Sequence, residues 1–370
     1  MNGSIRVGSL FGIPVFINPS WFLVLGLITW NYATWLAFQF PELGLVAWGL
    51  GLVTALLLFA SVVAHELGHS LVAMRQGIEV KSITLFIFGG LASLGEESKT
   101  PGDSFRVAIA GPLVSFTLFG WLHALSTFGQ LTGPLAAVIG LLAYVNLALG
   151  VFNLIPGLPL DGGNILKSIV WKITGKPYQG TAFASRVGQV FGWLGIGLGF
   201  ASLLGLTNVG SIWTLLVGWF LLQNAGQSAQ AAGVQRLLSG LTAQDAVIPN
   251  SPLVSAASSL REFANNKIIG NPVNWRKYLV TDEAGKLAGE ILVDDMKKVP
   301  TTDWWDVQVQ TLVRSPSEIA TVPSTTPLLD VINMLNEQLT ELAVVKEDGE
   351  VVGLLEKTSI VKLLEQKVTA

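Results

Sequence analysis

Six apolar runs of about 20 residues recur in the first 230 positions, near 19–39, 46–75, 102–127, 134–156, 183–205 and 208–228. At 1.5 Å per residue such a run spans a hydrocarbon core of about 30 Å. Lipid offers no partner to a backbone amide or carbonyl, so a segment of this kind can cross only as a helix. The expectation is a polytopic α-helical membrane protein with six transmembrane helices. Charge is distributed accordingly: of 47 charged side chains, 16 lie in residues 1–230 and 31 in 231–370. The remainder of the chain therefore reads as a separate, globular module.

Orientation follows from the basic residues. Arg6, Arg75, Lys81, Lys99, Arg106, Lys167, Lys172, Lys176 and Arg186 fall on one side of these spans. The connections on the other side, "FPELGL", "GQLTGP" and "GLTNVG", hold none. The positive-inside rule makes the basic side cytoplasmic, so both termini and the C-terminal module are expected in the cytoplasm of a plasma (inner) membrane protein. The N-terminus lacks the pattern of a removable signal peptide. A net charge of −3 argues against a nucleic-acid partner. With no cysteine, neither a disulfide nor a thiolate ligand is available.

The second run contains "AHELGHSL", and ionisable groups are costly inside a span unless they serve a task. His65 and His69 are four residues apart, on one face of a helix. This is the spacing of two zinc ligands, and Glu66 is placed to act as general base toward a metal-activated water. A catalytic zinc takes a third protein ligand. His123 lies toward the opposite side of the membrane and is read as structural. Asp103 reads as a helix N-cap. Asp161 closes "VFNLIPGLPLDGGNIL", where Pro and Gly break the fourth span, and broken backbone at membrane depth requires surrounding protein or a water-filled cavity. Asp161 is the expected third ligand.

Residues 79–97, "EVKSITLFIFGGLASLGEE", alternate at Val80, Ser82, Thr84, Phe86 and Phe88 before Gly89-Gly90. They predict a small re-entrant β-hairpin at the cytoplasmic interface. Its edge, with Phe86 and Phe88, is expected to bind unwound substrate by strand addition.

The pairing of "HELGH" with "NLIPGLPLDGG" resembles the site-2 protease family of intramembrane zinc metalloproteases. The branch it is most similar to carries a C-terminal CBS pair and includes sporulation-factor-processing enzymes. The family motif N-x-x-P-x-x-x-x-D-G is matched by Asn153, Pro156, Asp161 and Gly162, and "AIAGPLVSF" (108–116) resembles the family's A-G-P segment. The resemblance implies zinc on His65, His69 and Asp161, Glu66 as catalytic base, and Asn153 as a polar contact to substrate backbone or oxyanion. It also implies a single-span membrane protein substrate, such as a membrane-tethered transcription or sigma-factor regulator, cleaved near the cytoplasmic face.

Residues 240–370 contain two copies of a V/I-P, helix, strand, turn and V/L-x-G-x-h-h order. This resembles a tandem CBS module with repeats at 240–300 and 307–368, following a membrane domain at 1–230. Such pairs imply homodimerisation and an adenine nucleotide. Here the nucleotide signature is weak: "GEILVDD" keeps Asp295 but has Leu292 at the hydroxyl position, and "GLLEKTS" has Glu356 and Ser359. Trp304-Trp305, between the copies, reads as packing. The alternative reading is a CBS-gated transporter or channel that uses the His/Glu/Asp cluster as an ion pathway.

Overall fold

A computed structural model describes residues 3–87, 89–269, 273, 275–314, 320–337 and 341–369. Two compact units emerge, Met1–Gly233 and Val234–Ala370. The first begins with β1 (Ile5–Leu10) and β2 (Ile13–Ile17). There follow α1 (Ser20–Gln39), α2 (Val46–Arg75), β3 (Val80–Phe86), β4 (Gly89–Leu94), α3 (Pro101–Phe128) and α4 (Gly133–Asn153). It continues with α5 (Asp161–Thr174), α6 (Pro177–Leu203) and the start of α7 (Ile212–Leu238).

Among the described residues, four helices are long and apolar enough to cross a membrane: α1, α2, α3 and α4. Helices α6 and α7 stand where the fifth and sixth runs were expected and are 27 residues each, but polar side chains such as Gln189, Gln223 and Asn224 dilute them. The fourth run stops as a helix at Asn153, three residues short of the expected end, because Pro156 and Pro159 cannot continue it. Helix α5 is amphipathic and separate from the spans.

The expected hairpin is half of a larger sheet. The strands lie in the order β1-β2-β3-β4, with β2 parallel to β3 and the other pairs antiparallel. The two N-terminal strands were not expected, since β1 is uniformly exposed and shows no burial alternation. Two further expectations are corrected. The register shifts between Val80 and Ser82, so Val80, Ile83 and Leu85 face the helices, and Thr84 and Phe86 do not share a face with Val80. A bulge inverts the alternation in this way. Gly89 and Gly90 are not the turn: they pair with Phe86 and Leu85 inside β4. Phe88 lies outside the described residues.

The sheet packs on the helices through Ile13, Ala73, Ile78, Val80 and Ile83, and through Ile17, Trp21, Phe59 and Leu85. Helices α2 and α3 approach closely, because a Cβ on Gly68 would lie 2.9 Å from the Ala110 carbonyl oxygen. Small residues make such crossings possible in membrane bundles. Asn146 of α4 is fully buried and donates Nδ2 to Ser61 Oγ at 3.0 Å, tying α4 to α2 one turn before His65.

In the second unit β5 (Leu253–Ser255), α8 (Leu260–Phe263), β6 (Lys277–Thr281) and β7 (Leu287–Leu292) form one half. The other half is β8 (Thr321–Pro323), α9 (Leu328–Glu337), β9 (Glu341–Val345), β10 (Val351–Glu356) and α10 (Lys357–Thr369). Each half has a parallel pair followed by an antiparallel return, β5-β6-β7 and β8-β9-β10. Leu279, Ala343, Val351 and Leu354 pack the two sheets together, and Lys277 bridges Glu290 and Glu341. Trp304 packs into the core of the first half and donates Nε1 to Val299 O, whereas Trp305 is exposed.

Candidate metal centre

His65 and His69 meet Asp161 because two elements distant in sequence, α2 and α5, converge. The two histidines stand one turn apart on α2, with ring centroids 5.0 Å apart. Asp161 reaches them from the first turn of α5. His65 Nε2 lies 3.1 Å and His69 Nε2 3.3 Å from the same oxygen, Asp161 Oδ2. The other ring nitrogens are held from behind: His65 Nδ1 is 2.9 Å from Ser115 Oγ, and His69 Nδ1 is 2.7 Å from the carbonyl of Val107. A carbonyl can only accept, so His69 donates Nδ1–H to Val107, which leaves Nε2 as the ring atom facing Asp161. Partners of this kind orient metal-binding imidazoles.

These residues fit a zinc ion. Ligand atoms bound tetrahedrally at about 2.0–2.1 Å are about 3.3–3.4 Å apart, close to the two separations observed. Space is kept open by Gly111 of α3, where a Cβ would sit 2.1 Å from His69 Nε2 and 2.7 Å from His65 Nε2. The two nitrogens and one oxygen, within 4.8 Å of one another, form the one group of three His, Cys, Asp or Glu ligands found among the described residues.

Asp161 is held by a tightly wound segment. A Cβ on Gly162 would lie 2.3 Å from Leu154 O, and one on Gly163 2.2 Å from Leu158 N. A Cβ on Gly188 of α6 would meet Leu158 O at 2.1 Å, and Leu158 N donates to Ala184 O. The "PGLPLDGG" run thus has no room for side chains at its glycines. The N-cap position of α5 is Leu160, and Asp161, the first helical residue, turns Oδ2 to the two histidines.

Glu66 is half-buried next to His65, with β4 crossing it: a Cβ on Gly90 would lie 2.5 Å from Glu66 Cγ. One edge of the sheet, β4, therefore passes over Glu66.

A profile of peptidase family M50 matches residues 53–139 and 128–195, and one of the CBS domain matches 313–366. A Synechocystis sp. protein named "Putative zinc metalloprotease sll0528" is 58% identical over 99% of this chain and 96% of its own. The chain belongs to peptidase family M50. The name covers the site-2 protease type of zinc metalloprotease, here joined to a CBS domain. "Zinc metalloprotease MJ0392" of Methanocaldococcus jannaschii is 30% identical over 98% of this chain and 97% of its own. A solved site-2 protease from the same organism is 32% identical, covering 61% of this chain and 95% of that one, with a TM-score of 0.45. An M50 chain is an enzyme, so the transporter reading is not retained.

Within the M50 domain, His65, Glu66 and His69 share one stretch of α2, and Asp161 joins them from 96 residues after His65. Asn153 ends α4 and donates Nδ2 to Leu149 O of its own helix. Phe86 ends β3, with its ring 6.5 Å from that of Phe220 on α7. His123 is exposed and stacks on Phe119, apart from the cluster. The expectation for Asp103 is corrected: Thr100 is the N-cap of α3, and Asp103 sits three residues later, receiving the Thr100 hydroxyl at 2.6 Å. Pro101 at the first helical position makes Thr100 the last residue outside the helix. Residues the motif reading did not assign are Gly111, Ser115, Val107 and Gly90. "AIAGPLVSF" carried the signal for the first two, but their role depends on the α2–α3 approach.

Asp295, expected to contact a nucleotide, is buried and engaged. Arg314 donates Nε and Nη2 to it at 3.1 Å each, and Lys298 Nζ is 2.7 Å away. The Arg314 fork and then Lys298 hold its carboxyl below the usual carboxylate range.

Proposed function

We propose that this M50 chain is an intramembrane endopeptidase. It hydrolyses a peptide bond of single-span membrane proteins near the cytoplasmic face, releasing a cytosolic segment. The observation that carries the reading is the convergence of His65 Nε2 and His69 Nε2 on Asp161 Oδ2, beside Glu66 and under β4. In this reading His65, His69 and Asp161 hold zinc, which when bound supplies Lewis-acid polarisation of the scissile carbonyl and acidification of water. The Glu66 carboxylate takes a proton from the attacking water and delivers it to the leaving amine. Ser115 and Val107 keep both imidazoles in position throughout. Asn153 contacts substrate backbone or the oxyanion.

A helical substrate hides its scissile bond, so it has to be unwound before attack. β4 is the last strand of the sheet, and an extended segment added along its outer edge would lie across Glu66. Phe86, at the end of β3, would line that segment.

We read α6 and α7 as the fifth and sixth spans, the sheet as re-entrant, and both termini as cytoplasmic in a plasma (inner) membrane. The CBS pair, repeats 240–300 and 307–368, would modulate cleavage and pair two copies of the chain. An adenine nucleotide at Asp295 would have to displace Arg314 and Lys298.

The test is metal content and cleavage of a generic single-span substrate in detergent, wild type beside Glu66→Gln. The expected result is about one zinc in each and cleavage by the wild type alone. Absence of zinc from both would sink the assignment.

A further inference from the structure

The first strand of the sheet carries apolar side chains that the protein leaves uncovered. β1 pairs with β2 so that Ile5 stands opposite Ile17 and Leu10 opposite Ile13. Directly opposed residues share a face. Ile5 and Leu10 therefore project from the face on which Ile13 and Ile17 are buried against the helices. Under β2 and β3 this face meets α1 and α2; at β1 it overhangs them. All six residues of β1 are exposed, Ile5 at 53% and Leu10 at 41%. Arg6, opposite Phe16, and Ser9, opposite Pro14, take the other face. The strand is amphipathic, with its apolar side turned toward whatever surrounds the spans.

The turn adds an independent observation. Phe11 and Gly12 link β1 to β2 with φ of 52° and 84°. Left-handed backbone at both central positions favours Asn, Asp or Gly at the first. A bulky aromatic there is strained, and strain persists where something outside local geometry requires the side chain. Packing against the described residues does not, since Phe11 is 70% exposed.

We propose that the β1–β2 hairpin is an interfacial lipid anchor, with Ile5, Leu10 and Phe11 seated at the headgroup boundary and Arg6 and Ser9 turned to water and phosphate. Lipid is the occupant because the surface is continuous with a span. β2 ends at Ile17, α1 starts at Ser20, and the first turns of α1 expose Phe22, Leu23 and Leu27. Amphipathic elements with aromatic and aliphatic residues on one face and a cation on the other lie in this plane. The inference rests on the reading of α1 as membrane-crossing. Its consequence is mechanical: the anchor holds one edge of the sheet at constant depth, and with it β4 over Glu66.

The cysteine-free sequence makes the test direct. Single nitroxide labels are placed at Phe11→Cys, Leu10→Cys, Ser9→Cys and Leu27→Cys in the full chain. Each variant is reconstituted in vesicles of phosphatidylcholine and phosphatidylglycerol. Collision with oxygen, which partitions into lipid, is compared with collision with a water-soluble nickel chelate. Labels at 10 and 11 are expected to shift toward oxygen relative to the label at 9, and less far than the label at 27. Position 10 keeps the test intact if the turn does not tolerate substitution. If 27 reads as lipid while 10 and 11 read as water, the anchor is wrong and the span stands. If 27 also reads as water, the membrane reading fails as well. Labels at 10 and 11 shielded from both reagents would mean that protein, such as a second copy of the chain, covers the strand, which also overturns the proposal.

Discussion

Gly111 is the residue whose role is least apparent from its chemistry. The Gly111→Ala substitution adds a methyl group 2.1 Å from His69 Nε2, inside the space the ligands share. Its nearest neighbours are both histidines, which can move only by abandoning Asp161. We expect loss of zinc from detergent-purified protein, read by metal analysis, with helical content unchanged by circular dichroism. Ser115→Ala is milder. It removes the partner of His65 Nδ1 without adding bulk, and loss of such a support weakens metal binding by about 10–100-fold. Competition with a chelator measures this directly. Glu66→Gln separates base from metal: general acid–base contributions of about 10²–10⁴-fold should disappear from the cleavage rate while zinc remains bound.

At the scale of elements, the site depends on two approaches. In the first, α6 clamps the segment leading to Asp161. A Cβ on Gly188 would strike the backbone oxygen of Leu158 at 2.1 Å, an atom with no rotamer to escape through. Gly188→Ala should therefore displace Asp161 and lower zinc affinity, although residue 188 touches neither histidine. Isothermal titration with zinc would detect it, and unchanged affinity would mean that the loop holds its shape without the clamp. In the second approach, β4 lies over Glu66. Proline placed singly at Leu91 and Ala92 removes successive backbone donors, one toward β3 and one toward the open edge. The substitution on the open side should abolish cleavage of a single-span substrate while the chain remains folded and zinc-loaded. Equal cleavage by that variant and the wild type would remove strand addition from the mechanism.

At the scale of the whole molecule, a pH dependence of its own is expected of the second unit. Asp295 is held below the usual carboxylate range by Arg314 and Lys298. A depressed folded pKa means the stabilising contribution is complete above the unfolded value of about 3.9 and is lost as pH falls through the lower, folded value. Amide exchange of β7 in the intact chain should accelerate in that acidic window. Arg314→Ala should flatten the response, and because Arg314 is half-exposed the effect should be small. Exchange in the M50 unit should not follow this profile.

Much of this protein was legible in its linear order. Four strongly apolar helices, the His65–His69 pair and the break before Asp161 are encoded by hydropathy and by spacing within single segments, and local patterns report those directly. The doubled architecture of residues 240–370 was equally visible as a repeated strand and turn order. The sequence alone did not reveal β1, because a fully exposed strand shows no alternation, nor β2, whose burial alternates within the uniformly apolar IPVFI. The face reversal in β3 was hidden as well, since one bulged residue inverts a pattern that otherwise reads cleanly. Gly90, Gly111 and Gly188 acquire their roles only when segments far apart in sequence meet at van der Waals distance. The donor types and their spacing therefore belong to the sequence. The open space around them, and the strand crossing Glu66, were decided by the packing of α2, α3, α5, α6 and β4, because steric exclusion acts only between atoms that folding has brought together.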